Sequence, residues 1–268
     1  MPLWFAALLG LVQGLTEFIP VSSTAHLRLV SALTGQQDAG AAYTAVIQIG
    51  TLAAVIAYFA KDLVALPAAM FRDPGSPDGR MPWLIAAGTV PIVVVGLALK
   101  KHIEGDLRSL YVVAGALIIV GIAMAAIDRH VGGRDGRGIA TLTYSDAILI
   151  GLAQTLALVP GVSRSGATIC MALLLGFARS DAARFSFLLS IPAIAGAAVF
   201  EARHAFVELG SRAIPALAVG TGVAAVVGYA SIAWFLRWLG THQLTGFAIY
   251  RIVAGLALLA AVAAKLVR

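Results

Sequence analysis

The 268-residue sequence is 60% hydrophobic and only 12% charged, with a mean hydropathy of +0.93, whereas soluble domains are about 45–50% apolar and about 25% charged. Such a chain cannot cover itself with polar surface, so its solvent is lipid, which excludes an ordinary soluble domain. The net charge of +6 sits mainly in short gaps between apolar runs, where Lys and Arg meet phospholipid headgroups, and it calls for no nucleic-acid partner. The single cysteine, Cys170, excludes an internal disulfide and a cysteine-based metal site.

In chain order, the first twenty residues are apolar but carry Gln13, Thr16 and Glu17, with neither the basic start nor the small-residue cleavage site of a signal peptide. The apolar stretch 3–34 is broken near its middle by proline, serine and an ionisable residue. Runs at 41–60, 83–99 and 110–127 follow, each near the ~20 residues that cross a bilayer. Between the first two, FRDPGSPDGRMP (71–82) reads as a solvated loop, as does GGRDGRG (132–138) within the polar segment 128–144. A second broken stretch, 145–178, precedes runs at 185–201, 213–236 and 247–266. The pattern predicts an all-α polytopic membrane protein with about six full spans and two re-entrant broken helices.

The broken stretches resemble one another. Gly10, Leu11, Gln13, Leu15, Val21 and Ser22 align with Gly151, Leu152, Gln154, Leu156, Val162 and Ser163, and a weaker echo joins 111–119 to 250–258. We therefore expect one membrane domain made of two repeats, 1–130 and 142–268. If each broken stretch enters and returns, three spans remain per half, and an odd number turns the second copy upside down, as an inverted repeat with its chemistry near the midplane. Basic residues occur in nearly every loop, so charge bias does not orient the chain.

Gln13 and Glu17 are four residues apart and share a helix face. A carboxylate in a bilayer costs at least ~2.5 kcal/mol and is tolerated beside a cavity, a metal or a partner charge. In PVSSTAH (20–26), proline ends the preceding helix and Ser22, Ser23 and Thr24 are natural caps, leaving a half-helix over 27–33 with His26 near its start. In the second copy Pro160 and Gly161 break the chain, Ser163 or Ser165 can cap, and 169–177 forms the half-helix. Two helix N-termini meeting at a pseudo-twofold axis would make one anion site. The differences between copies carry the chemistry: Glu17, Ser23 and His26 align with Leu158, Arg164 and Ala167. Arg164 either offers a fork of donors to phosphate oxygens, forms a salt bridge to Glu17, or snorkels toward the headgroups.

QGLTEFIPVSSTAH (13–26) and PGVSRSGAT (160–168) resemble the two signature motifs of the bacterial undecaprenyl-pyrophosphate phosphatases, the bacitracin-resistance family, in order, spacing and intervening spans. The resemblance implies hydrolysis of undecaprenyl pyrophosphate to undecaprenyl phosphate and inorganic phosphate in the bacterial inner membrane. That reaction recycles the lipid carrier for cell-wall synthesis and blunts bacitracin. It implies a divalent cation, Mg²⁺ or Ca²⁺, a polyprenyl pyrophosphate and membrane lipids as partners, an extracytoplasmic opening, and compatibility with a homodimer. By position it assigns catalysis to Glu17, Ser23, His26 and Arg164. Phosphate contacts fall to Ser163, Arg164, Ser165 and Thr168, and the capping positions Ser22 and Thr24 are expected to join them. Glu17 is the expected metal contact. Gln13, where many members have Glu, takes a supporting role because an amide is neither a base nor a strong ligand for a hard cation.

Two mechanisms stay open on the sequence: attack by Ser23 with His26 moving the proton, or attack by water activated at Glu17 or the metal. A transporter or lipid flippase shares the repeat signature; the acidic, hydroxyl, imidazole and guanidinium set favours catalysis.

Overall fold

A computed structural model describes residues 1–99, 109–132 and 136–264. Among them are eleven α-helices and no strand. The first half contains α1 (Leu3–Thr16), α2 (Ser23–Leu33), α3 (Gly40–Tyr58), α4 (Ala60–Arg72), α5 (Pro77–Ala98) and α6 (Leu110–Val131). The second contains α7 (Tyr144–Thr155), α8 (Arg164–Leu174), α9 (Arg179–Leu209), α10 (Ile214–Leu239) and α11 (Thr245–Ala263).

Helices α5, α6, α9, α10 and α11 are long and apolar enough to cross a membrane. The expected span 41–60 becomes α3, which meets that test only together with α4, bent from it by 67°. The protein is a multi-pass membrane protein whose outer face is apolar: Val64, Val90, Ile119, Val226 and Val253 are each more than half exposed. The short helices α1, α2, α7 and α8 are too short to span, and each pair, α1 with α2 and α7 with α8, packs together across its break.

The structure corrects several boundaries. Only residues 73–76 of the expected loop 71–82 lie between helices. Ser76 accepts a hydrogen bond from the Gly79 N–H, Pro77 takes the first helical position, and Asp78 sits in the first turn, so the Ser-Pro-Asp run starts a helix rather than a solvated loop. The half-helices begin earlier than expected, at Ser23 and Arg164, because Ser22 and Ser163 are the caps. Of 132–138, residues 133–135 lie outside the described residues. Arg137 in the remainder is far from idle: it pairs by backbone with Gly176 and Ala178, donates to Asp146 at 2.9 Å and lies over the Phe177 ring at 4.4 Å.

Packing is close wherever glycines meet. A Cβ on Gly10 of α1 would collide with the Gly220 carbonyl of α10, and one on Gly151 of α7 with the Gly88 carbonyl of α5. Gly10 and Gly151 are aligned positions, so the α1–α10 contact has a counterpart in the α7–α5 contact. Helix α6 packs on α11 and α3 on α9. Gly121 of α6 faces Ala248, Arg251 and Ile252, whereas Gly255 of α11 faces Ala114, Leu117 and Ile118, so α6 and α11 run antiparallel. A buried carboxylate closes one end of the bundle: Asp128 of α6 pairs with Arg179 of α9 at 2.7 Å and accepts from the Thr245 N–H at 3.0 Å and hydroxyl at 2.9 Å at the start of α11.

Candidate active site

Both helix breaks end in a serine with left-handed backbone. Ser22 has φ 76° and Ser163 φ 73°, the only non-glycine residues with positive φ among the described residues. Such a conformation costs on the order of 1–3 kcal/mol and persists where surrounding contacts enforce it. One residue ties the backbone just before both serines. Arg251, at 0% exposure within α11, donates to the Pro20 carbonyl at 3.0 Å and to those of Gly161 and Val162 at 2.8 and 2.9 Å. Carbonyls freed when a helix stops in a membrane must find internal donors, and this guanidinium supplies them to both breaks at once. Ser165 adds a further tie, donating to the Ile19 carbonyl at 3.3 Å.

The breaks enclose a cavity of about 160 Å³, lined by Glu17, Ser22, Ser23 and Thr24 at the first break and by Gly161, Ser163 and Arg164 at the second, with Gln48 of α3 at its wall. Glu17 joins the two breaks chemically. Its Oε1 accepts from Arg164 Nη2 at 2.6 Å, while Oε2 accepts from Ser23 Oγ at 2.7 Å and Gln13 Nε2 at 2.8 Å. The carboxylate is 8% exposed and every donor around it comes from a position the sequence had singled out. The first turns of α2 and α8, whose N–H groups lack intrahelical acceptors, open onto the same space. With Arg164 balancing Glu17, the charge of Arg251 behind the breaks and the two positive helix ends leave the cavity electropositive.

Other expected residues lie elsewhere. His26 is absent from the cavity lining: its Nδ1 donates to the Ser22 carbonyl at 2.8 Å, Nε2 meets the Tyr250 hydroxyl at 2.6 Å, and the two rings stack 5.5 Å apart. The Ser22 carbonyl can only accept, so Nδ1 carries a proton and donates to it, while the Tyr250 hydroxyl, which can donate or accept, fixes the Nε2 side of the ring. Ser165 and Thr168 also stay out of the cavity lining. Thr168, 0% exposed, binds the Arg164 carbonyl at 2.9 Å and the Ser186 hydroxyl at 2.5 Å. Gln154, the aligned partner of Gln13, is buried with neither amide atom paired, because Leu158 stands where Glu17 would. Arg251, Tyr250 and Gln48 escaped the sequence reading, although an arginine and a glutamine inside apolar runs were the available signal.

Residues 6–257 match the family model described as "Bacitracin resistance protein BacA". The chain belongs to the bacitracin resistance protein family. It is 49% identical to an undecaprenyl-diphosphatase of Myxococcus xanthus over 97% of this chain and 89% of that protein. It is also 49% identical to one of Chloroherpeton thalassium, over 95% of each, and 47% identical to one of Paenarthrobacter aurescens, over 94% of each.

Proposed function

We propose that this chain is an undecaprenyl-diphosphatase of the bacterial plasma (inner) membrane. It hydrolyses undecaprenyl pyrophosphate to undecaprenyl phosphate and inorganic phosphate, and so confers bacitracin resistance. The observation that carries the reading is the Glu17 carboxylate held between Arg164 and Ser23 at the junction of two half-helix N-termini. A secondary transporter would share the two repeats, but it has no need of a serine hydroxyl pointed at a buried carboxylate.

The terminal phosphate sits against Arg164 and the N-termini of α2 and α8, where fixed donors stabilise charge on the equatorial oxygens. Ser23 attacks the terminal phosphorus, a new O–P bond forms, the bridging P–O bond breaks, and prenyl phosphate leaves; water then releases the phosphoserine. Glu17 is the nearer acceptor for the Ser23 proton, and His26 positions Ser22 through its carbonyl. The rival course, water attacking directly with Glu17 as base, uses the same residues without the phosphoserine. Phosphate release lost in Ser23→Ala, with a trapped phosphoserine in the wild type, supports the first. Full release by Ser23→Ala would sink it.

A divalent cation, Mg²⁺ or Ca²⁺, fits the donor set. Glu17 and Ser23 present hard oxygen donors to the cavity, and the neighbouring Gln13 Oε1 is buried without a partner. Among the described residues no three His, Cys, Asp or Glu side chains gather; Glu17, the carboxylate that lines the cavity, would hold the ion together with pyrophosphate oxygens. Bound there, it would offset pyrophosphate charge as a Lewis acid. Loss of phosphate release on chelation, restored by Mg²⁺ or Ca²⁺, tests this. We further infer that the halves form an inverted repeat with the cavity facing the extracytoplasmic side. The antiparallel packing of the aligned helices α6 and α11, and the matched glycine contacts of α1 and α7, support the inversion.

A further inference from the structure

A second cavity, of about 630 Å³, lies among α4, α5 and α9 and is almost wholly apolar. Leu66 and Pro67 of α4, Ile85, Thr89 and Val93 of α5, and Pro192 of α9 line it. Its one hydroxyl, on Thr89, is spent on the Ile85 carbonyl of its own helix at 2.7 Å, so nothing in the groove asks for a polar ligand. Along α5 it extends from Pro82 to Val94, about 18 Å by helical rise, which exceeds half the ~30 Å hydrocarbon core.

The groove and the polar cavity are neighbours along α5 and α9. Residues three or four apart on a helix share a face, and the α5 stripe Ile85, Thr89, Ile92 passes from the groove wall to the cavity wall. On α9 the same step leads from Ile191 in the groove to Ile194 in the cavity. An amphiphile with its charged end at Glu17 and Arg164 would therefore meet a continuous apolar track leaving the cavity between α5 and α9.

We propose that the α4–α5–α9 groove is the binding track for the prenyl chain of the substrate, an inference that rests on the phosphatase reading. Because the chain already lies in hydrocarbon, the groove selects it by packing rather than by the hydrophobic effect, so its contribution is modest and chain-length dependent. The test measures kcat/KM for phosphate release in nanodiscs from undecaprenyl pyrophosphate and from dimethylallyl pyrophosphate, whose single isoprene unit does not reach beyond the cavity. The groove is filled by Ala86→Trp or Val90→Trp, both at lipid-exposed positions; Val226→Trp, on α10 away from the groove, is the control. The groove variants should lose about tenfold on the long substrate, the scale of about ten lost carbon–carbon packing contacts, and stay within about twofold on the short one. Equal effects on both substrates, or none, would overturn the proposal. Should the wild type release no phosphate at all, the phosphatase reading fails, and crosslinking by a prenyl monophosphate with a diazirine on its chain still decides the groove. Labelling of α4, α5 and α9 that excess undecaprenyl phosphate displaces, and phosphatidylglycerol does not, supports the track. Labelling spread over the lipid-facing helices, or displaced equally by both lipids, overturns it.

Discussion

Replacing Arg251 with methionine, which keeps the length of the side chain but removes its donors, asks whether one guanidinium holds both helix breaks. Three main-chain carbonyls, of Pro20, Gly161 and Val162, lie within 3.0 Å of it. Hydrogen bonds to a charged group contribute about 1.5–3 kcal/mol each, or roughly 4.5–9 kcal/mol for the set. Burying the charge costs several kcal/mol in return. The difference, together with carbonyls left unpaired, puts the expected loss at about 3–5 kcal/mol, the range seen when one partner of a buried charged contact is removed. Thermal unfolding in detergent, followed by tryptophan fluorescence, should show a midpoint several degrees lower. Phosphate release from undecaprenyl pyrophosphate should fall further than unfolding explains, because Ser22 and Ser163 lose the contacts that enforce their positive φ. Arg251→Lys, with a single ammonium and no fork, should lie between. A methionine variant that melts and turns over like the wild type would refute the reasoning, since the strained serines would then be held by something else.

Glu17→Gln should cut phosphate release by about 10²–10⁴-fold, the usual worth of a general base, and also destabilise the fold by leaving Arg164 buried without its counter-charge; equal turnover would remove Glu17 from the mechanism. If His26 acts by holding the Ser22 carbonyl, His26→Asn, whose amide can donate from a position like Nδ1, should retain far more activity than His26→Ala. Equal loss in both variants would instead assign the imidazole a proton-carrying role. Gly151→Ala should destabilise the protein by roughly 1–3 kcal/mol through overpacking on the Gly88 carbonyl, whereas Gly115→Ala, with nothing within 4 Å of the added carbon, should melt with the wild type.

Much of the site was legible because its rarity in lipid is itself a signal. Glu17 and Arg164 stand out in apolar runs, and the aligned breaks said that the two belonged to one site; they meet at 2.6 Å. His26 was read by proximity in sequence to Ser23, and the ring turned out to face Tyr250, 224 residues away. No local pattern reports which way a side chain at a helix start turns when its partner arrives from another helix. The starts of α2, α5 and α8 lie ahead of the apolar pattern for a simpler reason: a serine cap followed by proline or polar residues looks like loop until the first helical hydrogen bonds are seen.

By itself the sequence determined the solvent, the helical class and which polar residues stand inside apolar runs, because a bilayer leaves only internally bonded backbone and exacts a high cost for every unpartnered charge. The tertiary structure alone decided which of those polar groups face the cavity and which bind backbone. Arg251 reads in sequence as one more cationic residue in an apolar run, and only the arrival of both breaks at α11 turns it into the donor that holds them. The apolar groove could be seen only in three dimensions for the same reason: its wall is assembled from α4, α5 and α9, each of which, taken alone, is another face toward lipid.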